Sequence, residues 1–157
     1  MILPKKKAAL IVAALATSAG IALYATSGFG QNLAAGPFNA AQVDAGHNAY
    51  VANCMVCHGD TMSGAGEAPA IAGKGFMVSW SDKTTKELFD TIKAEMPFGA
   101  AGSLSDDTYN NLVAFLLHAS GARTGTATLT PTTAVKISSV ASGNVAADVS
   151  SVMSAWR

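Results

Sequence analysis

The chain has 157 residues and a mass of 15.8 kDa, 50% hydrophobic and only 13% charged. That length holds one domain, or a smaller one with appendages, and excludes a large multidomain enzyme. Ten basic residues balance ten acidic ones, which excludes a strongly basic nucleic-acid binder, and two cysteines are too few for a disulfide-rich scaffold.

Charge is unevenly placed along the chain. Lys5, Lys6 and Lys7 precede an uncharged stretch that runs from Ala8 to Gly30. A basic start followed by an apolar, helix-permissive run reads as an export signal, with the lysines held on the cytoplasmic side. Two endings fit residues 1–30. A signal peptidase cuts after a small residue such as Ser27 or Gly30, or the segment stays as an N-terminal membrane anchor.

Residues 39–121 form the dense middle, with both cysteines, all three histidines and four of the six methionines. Between Ala40 and Ser120 nine acidic residues outnumber four lysines, so this body is acidic. Asn39 caps a helix expected over Ala40 to about Val51. Thr84 caps another through Lys93, with Leu88, Phe89 and Ile92 on one face. Ser105, followed by Asp106 and Asp107, opens a third, along which Tyr109, Leu112, Val113, Leu116 and Leu117 recur at helical spacing until Gly121. No alternating strand pattern appears, so the class is all-α with long loops. Residues 122–157 are rich in Thr, Ala, Ser and Val. They read as a low-complexity C-terminal extension, weakly ordered unless a partner gives it a path, with a short helix expected around Val145–Trp156.

Cys54-Met55-Val56-Cys57-His58 is a C-x-x-C-H motif. Two thiols three residues apart on one turn can each add to a vinyl group of one haem, and His58 then offers its imidazole as the proximal iron ligand. A thioredoxin-like pair would want an α/β context. A zinc site would want a second ligand pair, which His47 and His118 do not supply. A plain disulfide would leave His58 unexplained. The motif therefore indicates one covalently bound haem c.

Met96-Pro97 lies 38 residues after His58 and opens a glycine-containing loop. Met96 is the candidate sixth ligand, since a thioether favours ferrous iron and raises the potential. Met55, Met62, Met77 and Met153 read instead as core-filling. The carbonyl of Pro69 is a candidate acceptor for the other N–H of His58. Phe76, Trp80, Leu88, Phe98 and Phe115 are expected to wrap the haem, with Trp80 placed among the cofactor-binding residues. Gly64, Gly66, Gly73 and Gly75 suit a loop close to a flat macrocycle.

The stretches Asn53–Gly59, Ala68–Gly73, Met96-Pro97 and Gly102–Asp107 occur in the order found in class I c-type cytochromes, which the chain resembles over about Ala40–Gly121. More narrowly, it resembles the single-haem cytochrome domains and subunits of periplasmic quinoprotein or molybdenum dehydrogenases. The resemblance implies a first helix crossing the last, with Gly46 and Tyr50 at the crossing and Val113 and Leu116 or Leu117 meeting them. It also implies an electron-transfer protein rather than an enzyme, on the periplasmic side of the inner membrane, anchored or soluble. Its donor would be a periplasmic dehydrogenase. Its acceptor would be a membrane oxidase, a quinone site or another cytochrome. A small haem enzyme, peroxidase-like or oxidising a sulfur compound, is the alternative.

Overall fold

The computed structural model describes residues 33–145. The expected apolar N-terminal segment and the helix expected beyond Val145 lie outside them. Among the described residues the regular structure is helical, with two isolated bridges, Ala65 to Ala68 and Thr84 to Lys136, in place of strands. None of these helices is long and apolar enough to cross a membrane.

Helix α1 runs Ala40–Asn53 and starts where Asn39 accepts a hydrogen bond from the Gln42 backbone N–H at 3.0 Å. Helix α2 is the single turn Met55–His58. Helix α3, Gly73–Trp80, replaces the loop expected from its glycines. Helix α4, Thr85–Glu95, opens on a capping box in which Thr84 and Glu87 satisfy each other's backbone N–H groups. That arrangement holds the Glu87 carboxyl below its usual range, first through the Thr84 hydroxyl and then through the Thr84 backbone. Helix α5, Asp106–Ala119, is capped by Ser105, whose hydroxyl oxygen accepts from the Thr108 N–H at 3.2 Å. The caps predict the helix starts; α1 and α4 each run two residues further than their apolar pattern indicates.

The frame is the crossing of α1 and α5. A Cβ at Gly46 would lie 1.9 Å from the Asn111 carbonyl oxygen and 2.8 Å from Phe115 Cβ, so only glycine lets the backbones approach this closely. Phe115 fills the next turn, its ring 5.3 Å from His47 and 5.6 Å from Tyr50. The Gly46 and Tyr50 side of the crossing is as the resemblance implied. From α5, Asn111 and Phe115 meet it.

Helix α5 is buried on nearly every side, from Tyr109 through Leu117 apart from Asn111. The C-terminal segment explains the extra cover. Over 122–145 it is not a loose appendage but a strap whose Ala122, Leu129, Ile137 and Ala141 join the single hydrophobic core. It leaves α5 at Gly121 and pairs with the chain ahead of α1, Gly36 N–H to Arg123 O at 2.7 Å and Gly125 N–H to Phe38 O at 2.8 Å. It then bonds Gln42, reaches Thr85 at the start of α4, passes Lys83 and Ser81 beside α3, and returns to the end of α5, where Gly143 N–H bonds Ser120 O at 2.8 Å. A 3-10 turn, Ile137–Ser139, packs beside α3 with Ile137 fully buried. On the strap's side these ties use backbone groups, which leave no periodic side-chain pattern to read.

Candidate haem-attachment site

The site begins where α1 ends. Cys54 is the last link of α1, its N–H donating to Tyr50 O at 2.8 Å, and the carbonyl of Cys54 then accepts from Cys57 N–H at 3.2 Å and His58 N–H at 3.0 Å. This tight turn puts both thiols and the imidazole on one short helix. Both cysteines are free thiols; Cys57 is exposed and Cys54 half-buried. Burial, and then the neighbouring Cys57, pushes the Cys54 thiol up to about 11.

His58 is 7% exposed, and its Nδ1 sits 3.0 Å from the carbonyl oxygen of Pro69. A carbonyl can only accept, so Nδ1 carries the proton and Nε2 keeps its lone pair for a metal. The same bond fixes the ring plane and strengthens the imidazole as a donor. The loop 59–72 is built to place that carbonyl. Tyr50 Oη donates to Gly59 O at 2.5 Å, tying the loop's start to α1. Gly64 N–H bonds His58 O at 3.1 Å, and Ile71 N–H bonds Met62 O at 2.9 Å. Met62 fills the space beneath, fully buried, as expected of a core methionine. Burial, with lesser contributions from Cys54 and Asp60, raises the Tyr50 phenol, so it stays a neutral donor.

Gly64 has φ of +82°, and a Cβ on it would lie 2.3 Å from Ala68 O and 2.9 Å from Pro69 O. Its lack of a side chain therefore protects the carbonyl that orients His58. Gly66 and Gly59, by contrast, have open space where a Cβ would stand.

Met96 caps the C-terminus of α4, its N–H bonding Ile92 O at 2.8 Å, and is half-buried. Tyr109 Oη donates to its carbonyl at 2.8 Å. Next to it, Phe98 is 91% exposed, and Val56 inside the cysteine motif is 92% exposed. Large apolar groups left in water beside such donors are what a flat apolar ligand would cover. Trp80 ends α3, its ring stacked 6.2 Å from that of Phe76, with the Lys83 ammonium 4.4 Å from its centroid. Phe76 and Leu88 are buried in the core. Two thiols on one turn and an imidazole with its distal nitrogen available form a donor set that fits haem c. Haem so held would supply a one-electron iron couple, while the residues described here hold and orient it.

Three features escape the sequence. The Tyr50–Gly59 bond and the Tyr109–Met96 bond each end on a backbone carbonyl, which no side-chain pattern marks. The Gly64 packing is signalled only by glycine density in a loop.

A family model described as cytochrome C oxidase, cbb3-type, subunit III matches residues 41–116. A thiosulfate dehydrogenase of Psychrobacter arcticus is 35% identical over 82 residues, covering 48% of this chain and 25% of that protein. The crystal structure of the sulfane dehydrogenase SoxCD from Paracoccus pantotrophus is 27% identical, with a TM-score of 0.42, over 55% of this chain and 50% of that one. The chain thus spans a quarter of the length of the first relative and half of the second. A cytochrome c domain implies covalent haem c, electron transport and an extracytoplasmic location. With its C-x-x-C-H turn and helical frame, the chain carries over residues 41–116 a c-type cytochrome domain resembling the haem domains of dehydrogenases.

Proposed function

We propose that this chain is an exported single-haem electron carrier, ligated by His58 and Met96, that takes electrons from a periplasmic dehydrogenase. It passes them to a membrane oxidase, a quinone site or another cytochrome, and works as a subunit of the donor complex or docks to it. The observation that carries the reading is His58, whose Nδ1 is held 3.0 Å from Pro69 O directly after the two cysteines. That bond fixes a proximal ligand in one orientation for both oxidation states, which is what a carrier needs. The partial match to a thiosulfate dehydrogenase supports a donor that oxidises a sulfur compound. In this reading the chain is a wire, not a catalyst, and its apolar N-terminal segment directs export or holds it at the membrane. The acidic body suits a partner with a basic or neutral face.

The test is an absorption spectrum, oxidised and reduced, of protein matured in a host with c-type haem assembly. The expected result is low-spin iron with a weak long-wavelength sulfur-to-iron band that disappears in Met96→Ala. A high-spin spectrum in the unaltered protein, with ready binding of small ligands, would overturn the carrier and favour a haem enzyme.

A further inference from the structure

We propose that Tyr109 is the positioning residue for Met96, holding the ligand loop closed over the iron through its hydroxyl; this rests on Met96 being the sixth ligand. The loop 96–105 joins α4 to α5. From Phe98 through Ser103 every residue is exposed. Inside the loop the backbone makes only Ala100 N–H to Pro97 O at 2.8 Å and Ser103 N–H to Ala100 O at 3.2 Å. Neither bond reaches the body of the domain.

Leu104 packs against the core at the loop's far end, and the hydrogen bonds that tie the loop to the body converge on one phenol. Tyr109 is fully buried, with its ring edge-on to Phe89, centroids 6.2 Å apart at 84°. Its Oη donates to Met96 O at 2.8 Å and lies 3.4 Å from Leu104 N, whose N–H points at it. A phenol has one donor and acceptor lone pairs, and here both kinds are used. Met96 and Leu104 are the two ends of the exposed stretch, so one hydroxyl closes the loop at both. The other tie is the ion pair of Lys93 and Asp106 at 2.5 Å, which lies outside those ends and is exposed. Exposed pairs of this kind hold weakly, whereas a buried hydroxyl bonds in a low-dielectric setting.

The consequence concerns ligand opening. Swinging Met96 away from iron moves the chain at its own carbonyl, and so breaks the bond to Tyr109. With Tyr109→Phe that bond is already absent, and the open form gains population by about the worth of one hydrogen bond. An external ligand that binds only the open form then binds more tightly by the same factor, because its apparent affinity scales with the open fraction.

The experiment titrates imidazole into the ferric holoprotein, following the sulfur-to-iron band, for the unaltered chain, Tyr109→Phe, Met96→Ala and Leu129→Ala. Phenylalanine keeps the ring against Phe89, so the fold is retained. Leu129 is buried in the strap, away from the loop, and reports the effect of lost stability alone. The expected result is about tenfold tighter imidazole binding in Tyr109→Phe, with Leu129→Ala within about twofold of the unaltered protein. Equal affinity in Tyr109→Phe and the unaltered chain overturns the proposal while leaving Met96 as ligand, provided Met96→Ala abolishes the band. An equal tightening by Leu129→Ala also overturns it, since opening would then follow global unfolding. If the unaltered protein shows no sulfur-to-iron band, the Met96 reading fails and takes this one with it.

Discussion

Replacing Gln42 by alanine tests whether the strap is part of the fold. Gln42 lies in the first turn of α1, 9% exposed, and its side chain pairs with the backbone of one strap residue in both directions. Its Nε2 donates to Leu129 O at 3.0 Å, and its Oε1 accepts from Leu129 N–H at 2.8 Å. Leu129 is itself buried, so Gln42→Ala leaves a buried donor and a buried acceptor without partners. Each such orphan costs about 1–3 kcal/mol, and the pair is expected to cost about 2–4 kcal/mol once water reaches part of the site. Against a typical total of about 5–15 kcal/mol that is a large fraction. The ceiling is the free energy of peeling the strap, because a detached Leu129 recovers its hydrogen bonds from water. The assay is denaturant unfolding of the haem-loaded protein, followed by the Soret band and by tryptophan fluorescence. A lower midpoint with unchanged slope would mean the strap stays in place and bears the cost. A lower midpoint with a shallower slope would mean the strap has left the native state, since less surface then remains to be exposed. A change under about 0.5 kcal/mol with unchanged slope would refute the reasoning, because two buried orphans cannot cost so little.

Two further substitutions probe the site and the caps. Gly64→Ala drives a methyl into Ala68 O and Pro69 O, so the His58–Pro69 bond lengthens or breaks; a weaker imidazole donor favours ferrous iron, and the reduction potential should rise in protein-film voltammetry. An unchanged potential with intact haem would show that the Pro69 carbonyl does not tune His58. For Glu87→Gln, the folded-state carboxyl is held below its ordinary value by Thr84, so its stabilisation is present above the carboxylate range and is lost as pH falls through it. Unaltered protein and Glu87→Gln should therefore differ in thermal midpoint near neutral pH and converge in acid, and a difference that grows on acidification would reverse the sign and defeat the argument.

Helix starts were legible because caps are local chemistry. Asn39, Thr84 with Glu87, and Ser105 each bond a backbone N–H within three residues, so sequence order alone reveals them. The haem motif was legible for the same reason, since its three functional groups share one turn. Helix α3 was not, because Gly73 and Gly75 weigh against a helix in isolation, and what sustains it is the packing of Phe76 in the core. The strap was illegible for a different reason. Its bonds to Gly36, Phe38, Gln42, Lys83 and Thr85 span up to 87 positions and, on the strap's side, engage backbone groups that every residue carries. Composition suggests disorder there, and only the three-dimensional path shows that Leu129 and Ile137 complete the core.

The geometry divides the work of the site between two loops with opposite constraints. On the cysteine side the loop 59–72 is pinned at several points, by Tyr50, by Met62 beneath it and by the close packing of Gly64 on Pro69. On the methionine side the loop 96–105 is held by one buried hydroxyl and by Leu104, which packs against the core at its far end. Both pins, Tyr50 and Tyr109, stand on the helices that cross at Gly46. One rigid crossing thus sets the spacing of the two loops, and the strap reinforces it by clasping α1 at Gln42 and α4 at Thr85. Loosening the crossing or the strap would move both loops together and cost stability. Removing the Tyr109 hydroxyl would free one loop only, and so the ligand proposed on that side is the one this chain can exchange without unfolding.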